Sequence, residues 1–524
     1  MSATSERRSL LGTAARARRI SALALVAVAF GAGASAASAA KNVNIVRQAG
    51  PPAGEIPKNT HYFTTIQAAV NASTKGDWVL IEPGTYEEEV KVNNAQSGIW
   101  IRGMDRNKVV IDGNHKAGTG ILIKKANNVW VENLTVRNWE EGTEENPCHL
   151  GPEEECGNGI WWTGGKDSGI MGAHGWYGSY LTAYDTGLHG GYGEFAQNEE
   201  TGAFNHIYAY GFADSGFYIG ACRECNATVN DAVMENNALG YSGSNSSGRL
   251  VIENSTFRNN LVGIAPNSEN PGDGPPPLDG ACDSFKNTSS TPTFSTTKIK
   301  RCEILRNNLV EENANTTVPT NGSTEEAIWG VGIELPGDYA VRVENNVIKN
   351  NPNDGVLGFE YPNRFLPPEW PGTIFFQLSG NRISDNTFEN NGHNANPALS
   401  GNPYAGDVSL LSDYADLFNG PPELFPRQAP KSTSDNNCAS ANAFGVGDQT
   451  FPANIEGTWG CQNKTTPNPG GEITAAEYLL ERIRESKEKK LVETKPQEHP
   501  TEQPTMPEPC EGVPKNPLCP KGNI

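Results

Sequence analysis

Between Val129 and Val136 apolar side chains alternate with polar ones, the phase breaks at Glu132-Asn133, and the alternation resumes at Leu134 and Val136. Alternation with period two predicts a strand with one buried face, and the break predicts a bend. The whole phrase, Val129-Trp-Val-Glu-Asn-Leu-Thr-Val-Arg-Asn138, returns as Leu250-Val-Ile-Glu-Asn-Ser-Thr-Phe-Arg-Asn259 and as Val341-Arg-Val-Glu-Asn-Asn-Val-Ile-Lys-Asn350. The steps of 121 and 91 residues are close to five and four units of about 23 or 24 residues. Such a period predicts stacked coils, each too small to bury its apolar face alone.

A second register runs through the same units. A Gly, or once a Phe, precedes an apolar or aromatic residue at Ile121, Ile160, Tyr192, Tyr218, Tyr241, Ile264, Ile333 and Val356. These positions are expected to stack as an inward column, with the three tyrosines forming an internal ladder. Asn pairs fall between the registers: Asn236-Asn237, Asn259-Asn260, Asn307-Asn308, Asn350-Asn351 and Asn390-Asn391. Asn tolerates left-handed backbone and bonds neighbouring main chain, so the pairs are expected at turns and stacked as a ladder. The sequon at Asn254 falls in the same repeat and reads as a ladder residue. The chain is therefore predicted to be all-β, a parallel β-helix of about ten coils with roughly 22–26 residues in each bare coil. A β-sandwich would need regularly placed Asn-Gly or Asp-Gly hairpin turns, which are missing.

The pattern divides the chain. Residues 1–40 hold five early arginines, an apolar stretch from Ile20 to about Ala34 and a small-residue run, the composition of a secretory signal. Residues 41–77 are read as an irregular segment followed by a short amphipathic helix that caps the open end of the stack. Coils are expected over 78–395, and a loop-rich C-terminal extension over 396–465. A charged helix is expected over 472–492, and a mobile Pro/Glu-rich tail over 493–524.

The opening Ile66-Gln-Ala-Ala-Val70, with Gly76-Asp77 and Pro83-Gly84-Thr-Tyr86, resembles the start of right-handed parallel β-helix proteins of the pectin-lyase-like group. The Asn-Asn-x-x-Gly-apolar coils resemble their repeats. The resemblance implies the fold and a carbohydrate setting, but the group holds lyases, hydrolases, epimerases, esterases and adhesins. The paired aspartates of its hydrolases, the calcium-binding aspartate clusters of its lyases and the Asp-Pro-His-Asp signature of its epimerases are all missing here. No catalytic set carries across, no cofactor is implied, and calcium has no clear ligand cluster to support it.

Composition narrows the partners. The formal charge is −20, and removing the five arginines and one glutamate of residues 1–40 takes it to −24. Such an acidic surface argues against nucleic acid as a partner and suits a polysaccharide or cell-envelope glycan. No segment after residue 40 is apolar enough to span a bilayer, so the expected location is secreted or cell-surface. All ten cysteines lie beyond the signal segment. Their neighbours in sequence suggest Cys148–Cys156, Cys222–Cys225, Cys282–Cys302, Cys438–Cys461 and Cys510–Cys519, with the connectivity open.

Candidate chemistry concentrates between residues 158 and 245. Alternation places Trp161, Thr163, Phe195, Ser242, Ser244, Asn267 and Glu334 on the outer face of one sheet, where aromatics and amides can hold sugar rings. His189, His206 and Asp214 are the acid–base candidates, His189 and Asp214 sharing a corner one coil apart. Glu194 follows Tyr192 by two and is expected to point inward, where it would need a partner or a raised pKa. Two functional readings stand: a glycan-binding or envelope protein without strong catalysis, and a polysaccharide lyase or uronate C5-epimerase working in the 174–223 region. A structural or adhesive rod is the third.

Overall fold

The computed structural model describes residues 42–150, 154–165, 172–222, 225–244, 246, 248–267, 301–321, 324, 329–338, 340–359, 378, 380–393, 404–411, 436–445, 449–462 and 493–522. The expected signal segment 1–40, the charged helix 472–492 and Cys282 lie outside them. No described helix is long and apolar enough to cross a membrane.

The chain winds as a right-handed parallel β-helix, with every named strand pairing parallel to its neighbour. Among the described residues, one sheet has eleven strands. It runs from Val90–Asn93 through Thr119–Lys124, Asn158–Thr163, Tyr192–Gln197, Ser215–Gly220 and Leu239–Ser244. It continues through Val262–Asn267, Val331–Pro336, Asp354–Phe359 and Gly406–Leu411 to Thr450–Phe451. The remaining two strands of each coil form the opposite walls. The stack reaches further than the hydrophobic pattern implied. Val43–Val46 pairs with Thr60–Phe63 and Trp78–Ile81, so the segment read as irregular supplies the first layer. Gly406–Leu411 and Cys438–Ser440 carry both walls beyond residue 395 into the stretch read as a loop-rich extension. The helix Ile66–Ala72 buries Ile66, Ala69 and Val70 against the end of the core, as a cap should.

The Gly register is a packing requirement. An added Cβ at Gly240 would lie 2.4 Å from the Gly263 carbonyl oxygen, and one at Gly263 would lie 2.5 Å from that of Gly332. Coils approach so closely here that only hydrogen fits. The column following these glycines corrects two positions. Ile121, Ile160, Glu194, Phe217, Tyr241, Ile264, Ile333 and Val356 share one register. Tyr192 and Tyr218 lie outside it, because Gly193 and Gly216, not Gly191 and Phe217, are the stacking residues. Of the expected tyrosine ladder only Tyr241 is internal, stacked 4.7 Å from Phe217.

Two turns organise each coil. The first has two residues, and its leading residue takes the left-handed conformation: His206, Asp231, Asn254, Asn307, Asn345, Asp385 and Ala441 all have φ between 53 and 59°. Its second residue builds a buried ladder, in which Asn346 Nδ2 donates to Asn386 Oδ1 (3.0 Å) and Asn386 Nδ2 to Asn442 Oδ1 (3.0 Å). A second ladder runs at the next bend through Asn237, Asn260, Asn313, Asn351 and Asn391 at 3.0–3.2 Å. Asn307-Asn308 thus belongs to the first turn, and Asn313 fills its place in the second ladder. Asn254 is an outer rung, donating to Asn230 Oδ1 at 2.8 Å.

Length varies elsewhere. From Val90 onward the long connections flank the eleven-stranded sheet: 141–157, 313–330 and 392–405 precede its strands, and 164–172, 268–300, 360–377 and 412–435 follow them.

Residues 493–522 are not a loose tail. Glu493 N–H donates to the Thr316 carbonyl (2.8 Å) and Gln497 N–H to the Thr186 carbonyl (3.1 Å). Further on, Arg106 donates to the Pro504 carbonyl, and Arg102 donates to the Pro509 and Glu511 carbonyls. Val513 and Cys519 finally bury themselves with Val43, Ile45, Trp78 and Leu80. The segment is a strap along the stack. Its Pro/Glu-rich composition suggested mobility because it lacks apolar periodicity; its order comes from polar contacts to its backbone. Disulfides join Cys148–Cys156, Cys222–Cys225, Cys438–Cys461 and Cys510–Cys519.

Candidate functional site

The outer face of the eleven-stranded sheet carries a register-matched column of Leu122, Trp161, Phe195, Tyr218 and Ser242. Trp161 and Phe195 stack at 5.3 Å, Phe195 and Tyr192 at 4.4 Å, and Tyr218 meets Phe195 edge-on at 4.8 Å. Alternation therefore assigned the outward direction correctly, but these side chains are not open platforms. Trp161, Thr163, Phe195, Ser242, Ser244 and Glu334 are all buried, and of the seven expected binding residues only Asn267 is partly exposed. Residues from the connections lie across one end, where Glu154 pairs with Lys124 and the Glu155 carbonyl accepts from Thr119. A second stack, Trp78–Trp100–Trp130–Tyr177, uses its ring faces on itself at 4.4–4.9 Å and leaves edges rather than faces to solvent.

A solvent-reaching corner opens where connection 141–157 meets the bends before Tyr192 and Ser215. Here Tyr192 Oη donates to Asp214 Oδ2 at 3.0 Å. Ser215 Oγ lies 3.1 Å from Ser242 Oγ, and both hydroxyls also reach toward Asp214. Tyr192 and Asp214 are partly exposed. Burial nevertheless dominates the carboxyl, raising its pKa to about 7 against the opposing hydrogen bonds of Tyr192 and Ser215. Burial, then the Asp214 charge, pushes the Tyr192 phenol well above its ordinary range. Glu141 completes the corner: Asn321 Nδ2 donates to its Oε1 at 2.5 Å, its N–H donates to the His189 carbonyl at 2.7 Å, and burial raises its carboxyl pKa. The exposed His189 ring acts on Glu141 by charge.

The expected catalytic trio does not assemble. His189 and Asp214 both face Glu141, so they share the corner through a residue that the sequence did not single out. His206 is elsewhere, at the two-residue turn on the far side of the coil, paired with Asp231 Oδ2 and packed 4.4 Å from the Tyr180 ring. It is the left-handed turn residue of its coil and Asp231 is that of the next, which explains the contact without catalysis. Glu194 does point inward, fully buried in the core column between Ile160 and Phe217. Its carboxyl has no hydrogen-bond partner among the described residues, and burial raises its pKa far above the ordinary range. Glu141, Tyr192 and Asn321 are the corner residues missing from the candidates. Glu141 and Asn321 lie in long connections, and Tyr192 opens the strand after a short bend, so they share no sequence signal.

These buried acids make stability depend on pH. Burial raises Glu334 to about 8, as it raises Asp214 to about 7. A carboxyl whose folded pKa exceeds its unfolded value of about 4 binds its proton more tightly when folded. Stability is thus greatest below about pH 4 for these groups and falls as pH rises through 7 and 8. The slope is roughly 1.4 kcal/mol per pH unit for each group. Urea midpoints measured at pH 5, 6.5 and 8 are expected to decrease in that order. A midpoint that climbs toward pH 8 would contradict the burial of both acids.

No protein-family model matches the chain, and no curated protein sequence matches it. Among solved structures, it is similar to the A-module of the Azotobacter vinelandii mannuronan C-5 epimerase AlgE4, at 12% identity over 72% of this chain and 90% of that one, TM-score 0.40. It is also similar to a Yersinia enterocolitica family 28 exopolygalacturonase, at 11% identity over 77% of this chain and 75% of that one, TM-score 0.43. The pectate lyase Pel9A matches at 16% identity over 77% of this chain and 80% of that one, TM-score 0.35. By its own strand register the chain is a right-handed parallel β-helix.

Proposed function

We propose that this is an exported carbohydrate-active protein that acts on a polysaccharide at the Tyr192–Asp214 corner, beside the eleven-stranded sheet. The substrate class comes from the resemblance of the opening motif and coils, and the four described disulfides suit an oxidising compartment. The observation that carries the reading is the Tyr192–Asp214 hydrogen bond at a corner that reaches solvent, with the carboxyl held near neutrality and a second carboxyl, Glu141, beside it. A group that is half protonated near pH 7 is suited to donating a proton to a leaving oxygen. A second carboxyl can then activate water, the pairing that glycoside hydrolysis uses.

Hydrolysis of a neutral glycan fits this corner better than elimination or epimerisation of a uronate. Those two reactions need a cation or arginine to neutralise the substrate carboxylate. Among the described residues, the groups interacting with Asp214 and Glu141 are Glu155, Tyr192, Ser215, Ser242, Asn321 and His189. None of these protein groups carries a permanent positive charge. The burial of Trp161, Phe195 and Tyr218 within their own stack removes the open aromatic platform that a binding role without turnover would use.

The test is incubation of the mature protein with neutral glycans and with alginate, pectate and hyaluronan. New reducing ends from a neutral glycan are expected, reduced by roughly 10²–10⁴-fold in Asp214→Asn without loss of glycan retention. Retention with no turnover of any glycan would support the binding role. Unsaturated uronate products would replace hydrolysis with elimination. Failure to retain any glycan would remove the carbohydrate reading.

A further inference from the structure

Beyond the Tyr192–Asp214 corner, the bulge in the strand Val109–Ala117 brings three potential ligands together. His115, Glu140 and Asp185 each offer a ligand atom, all within 4.8 Å of one another. His115 Nδ1 is 2.8 Å from Glu140 Oε1 and 3.7 Å from Asp185 Oδ1. Asp185 is fully buried, and although the Gly187 N–H reaches toward its carboxyl, Oδ1 has no hydrogen-bond partner at ordinary distance among the described residues and faces the imidazole. Such a buried lone pair is costly unless a proton or a cation serves it. Asp185 Oδ2 is fixed separately by the Gly190 N–H at 3.0 Å.

The surroundings are those of a built site. Asn114 and His115 both hold left-handed backbone, φ 50 and 60°, which projects the imidazole from a bulge between Asp112 and Lys116. Gly187 is the close neighbour on the other side, where a Cβ would fall 1.9 Å from Glu140 Oε1 and 2.9 Å from His115 Nδ1. The far ring nitrogen is also served. His115 Nε2 lies 3.4 Å from Thr186 Oγ1, which in turn donates to Asn138 Oδ1 at 3.1 Å. With Nδ1 turned to a metal, Nε2–H becomes a donor to the threonine hydroxyl, the outer-sphere support that ligating histidines show.

We propose that His115, Glu140 and Asp185 form a divalent metal site, with preference for a borderline ion such as Zn²⁺ over Ca²⁺. One imidazole nitrogen and two carboxylates suit zinc or manganese, whereas calcium prefers an all-oxygen shell of six or more ligands. Tetrahedral ligands at zinc distances of about 2.0–2.1 Å stand about 3.3 Å apart. The 2.8 and 3.7 Å separations bracket that value, so small side-chain rotations suffice. The metal would tie the bulge at 115 to the strand ending at Glu140 and to the bend at 185–190. Those are the segments on which Glu141 and His189 stand, so its role is to position the corner.

The test uses the full mature protein, stripped with a chelator and titrated with Zn²⁺, Mn²⁺ and Ca²⁺ by calorimetry, with metal content and thermal midpoint followed in parallel. One equivalent of Zn²⁺ is expected to bind and raise the midpoint, with Ca²⁺ at least about 100-fold weaker. His115→Ala, at an exposed position that leaves the core intact, is expected to weaken Zn²⁺ binding by roughly 100-fold or more. His149→Ala, removing an exposed histidine outside the cluster, is expected to leave it unchanged. Asp214→Asn should also bind one equivalent, which separates this site from the proposed glycan chemistry. Loss of less than about threefold in His115→Ala, equal binding of Ca²⁺, or no stoichiometric Zn²⁺ binding by the parent would each overturn the proposal.

Discussion

Asn260→Ala is expected to destabilise the fold by about 3–5 kcal/mol, far more than any exposed substitution in the same coil. The buried Asn260 carboxamide joins three coils. Its Oδ1 accepts from the Asn237 N–H (3.0 Å) and from Asn237 Nδ2 (3.2 Å), while its Nδ2 donates to the Met234 carbonyl (3.0 Å) and Asn313 Oδ1 (3.0 Å). Alanine leaves a buried N–H and a buried carbonyl without partners, and water cannot reach either. Asn254→Ala provides the contrast. That residue is exposed, makes one rung contact to Asn230, and is expected to cost about 1 kcal/mol, mainly through left-handed strain at φ 53°. The comparison is read from urea midpoints at unchanged slope, since a long repeat stack need not unfold in one step. Equal shifts for the two variants would mean that the buried ladder contributes no more than a surface rung.

Ending the chain after residue 492 is expected to cost at least about 5 kcal/mol, and to show first as proteolysis of the earliest coils. Arg106 is buried, and the strap supplies the Pro504 carbonyl to its guanidinium, so removal leaves a buried cation short of acceptors. Burial already lowers the Arg106 pKa, to about 10, which is the mark of a charge dependent on its partners. Removal also uncovers Val43, Ile45, Trp78 and Leu80, the end face that Val513 and Cys519 now close. Val513→Asp separates the two effects, because it disturbs the apolar closure and leaves the arginine contacts in place. An unchanged midpoint and unchanged cleavage pattern in both variants would show that the strap is incidental.

What was legible from residues alone followed from repetition. The apolar alternation, the glycine column and the Asn pairs recur because every coil meets the same neighbours, and together they specify the stack. Errors arose where one coil departs from the repeat. Gly191-Tyr192 and Phe217-Tyr218 imitate the register, and the real one, Gly193-Glu194, is masked by a glutamate where an apolar residue belongs. His206 looked chemical because histidine is chemically versatile, yet its position asks only for left-handed backbone. The corner is less legible still. Tyr192 and Asp214 meet because Tyr192 stacks on Ser215 in the next coil, the residue after Asp214, and Glu141 and Asn321 arrive on connections with no periodicity. His115 needs partners 25 and 70 residues away before it looks like a ligand.

The two-residue turn and the long connections lie at different corners of the coil, and this sets where the architecture can be rewritten. An insertion at 254–255 or 307–308 would pull a side chain out of a continuous vertical array and disturb coils on both sides. An insertion that follows a strand of the eleven-stranded sheet meets no such array, and four of the long connections already lie there. For an engineer, the chain is a ruler with one blank margin: new recognition loops belong along that margin, and the opposite edge keeps the spacing.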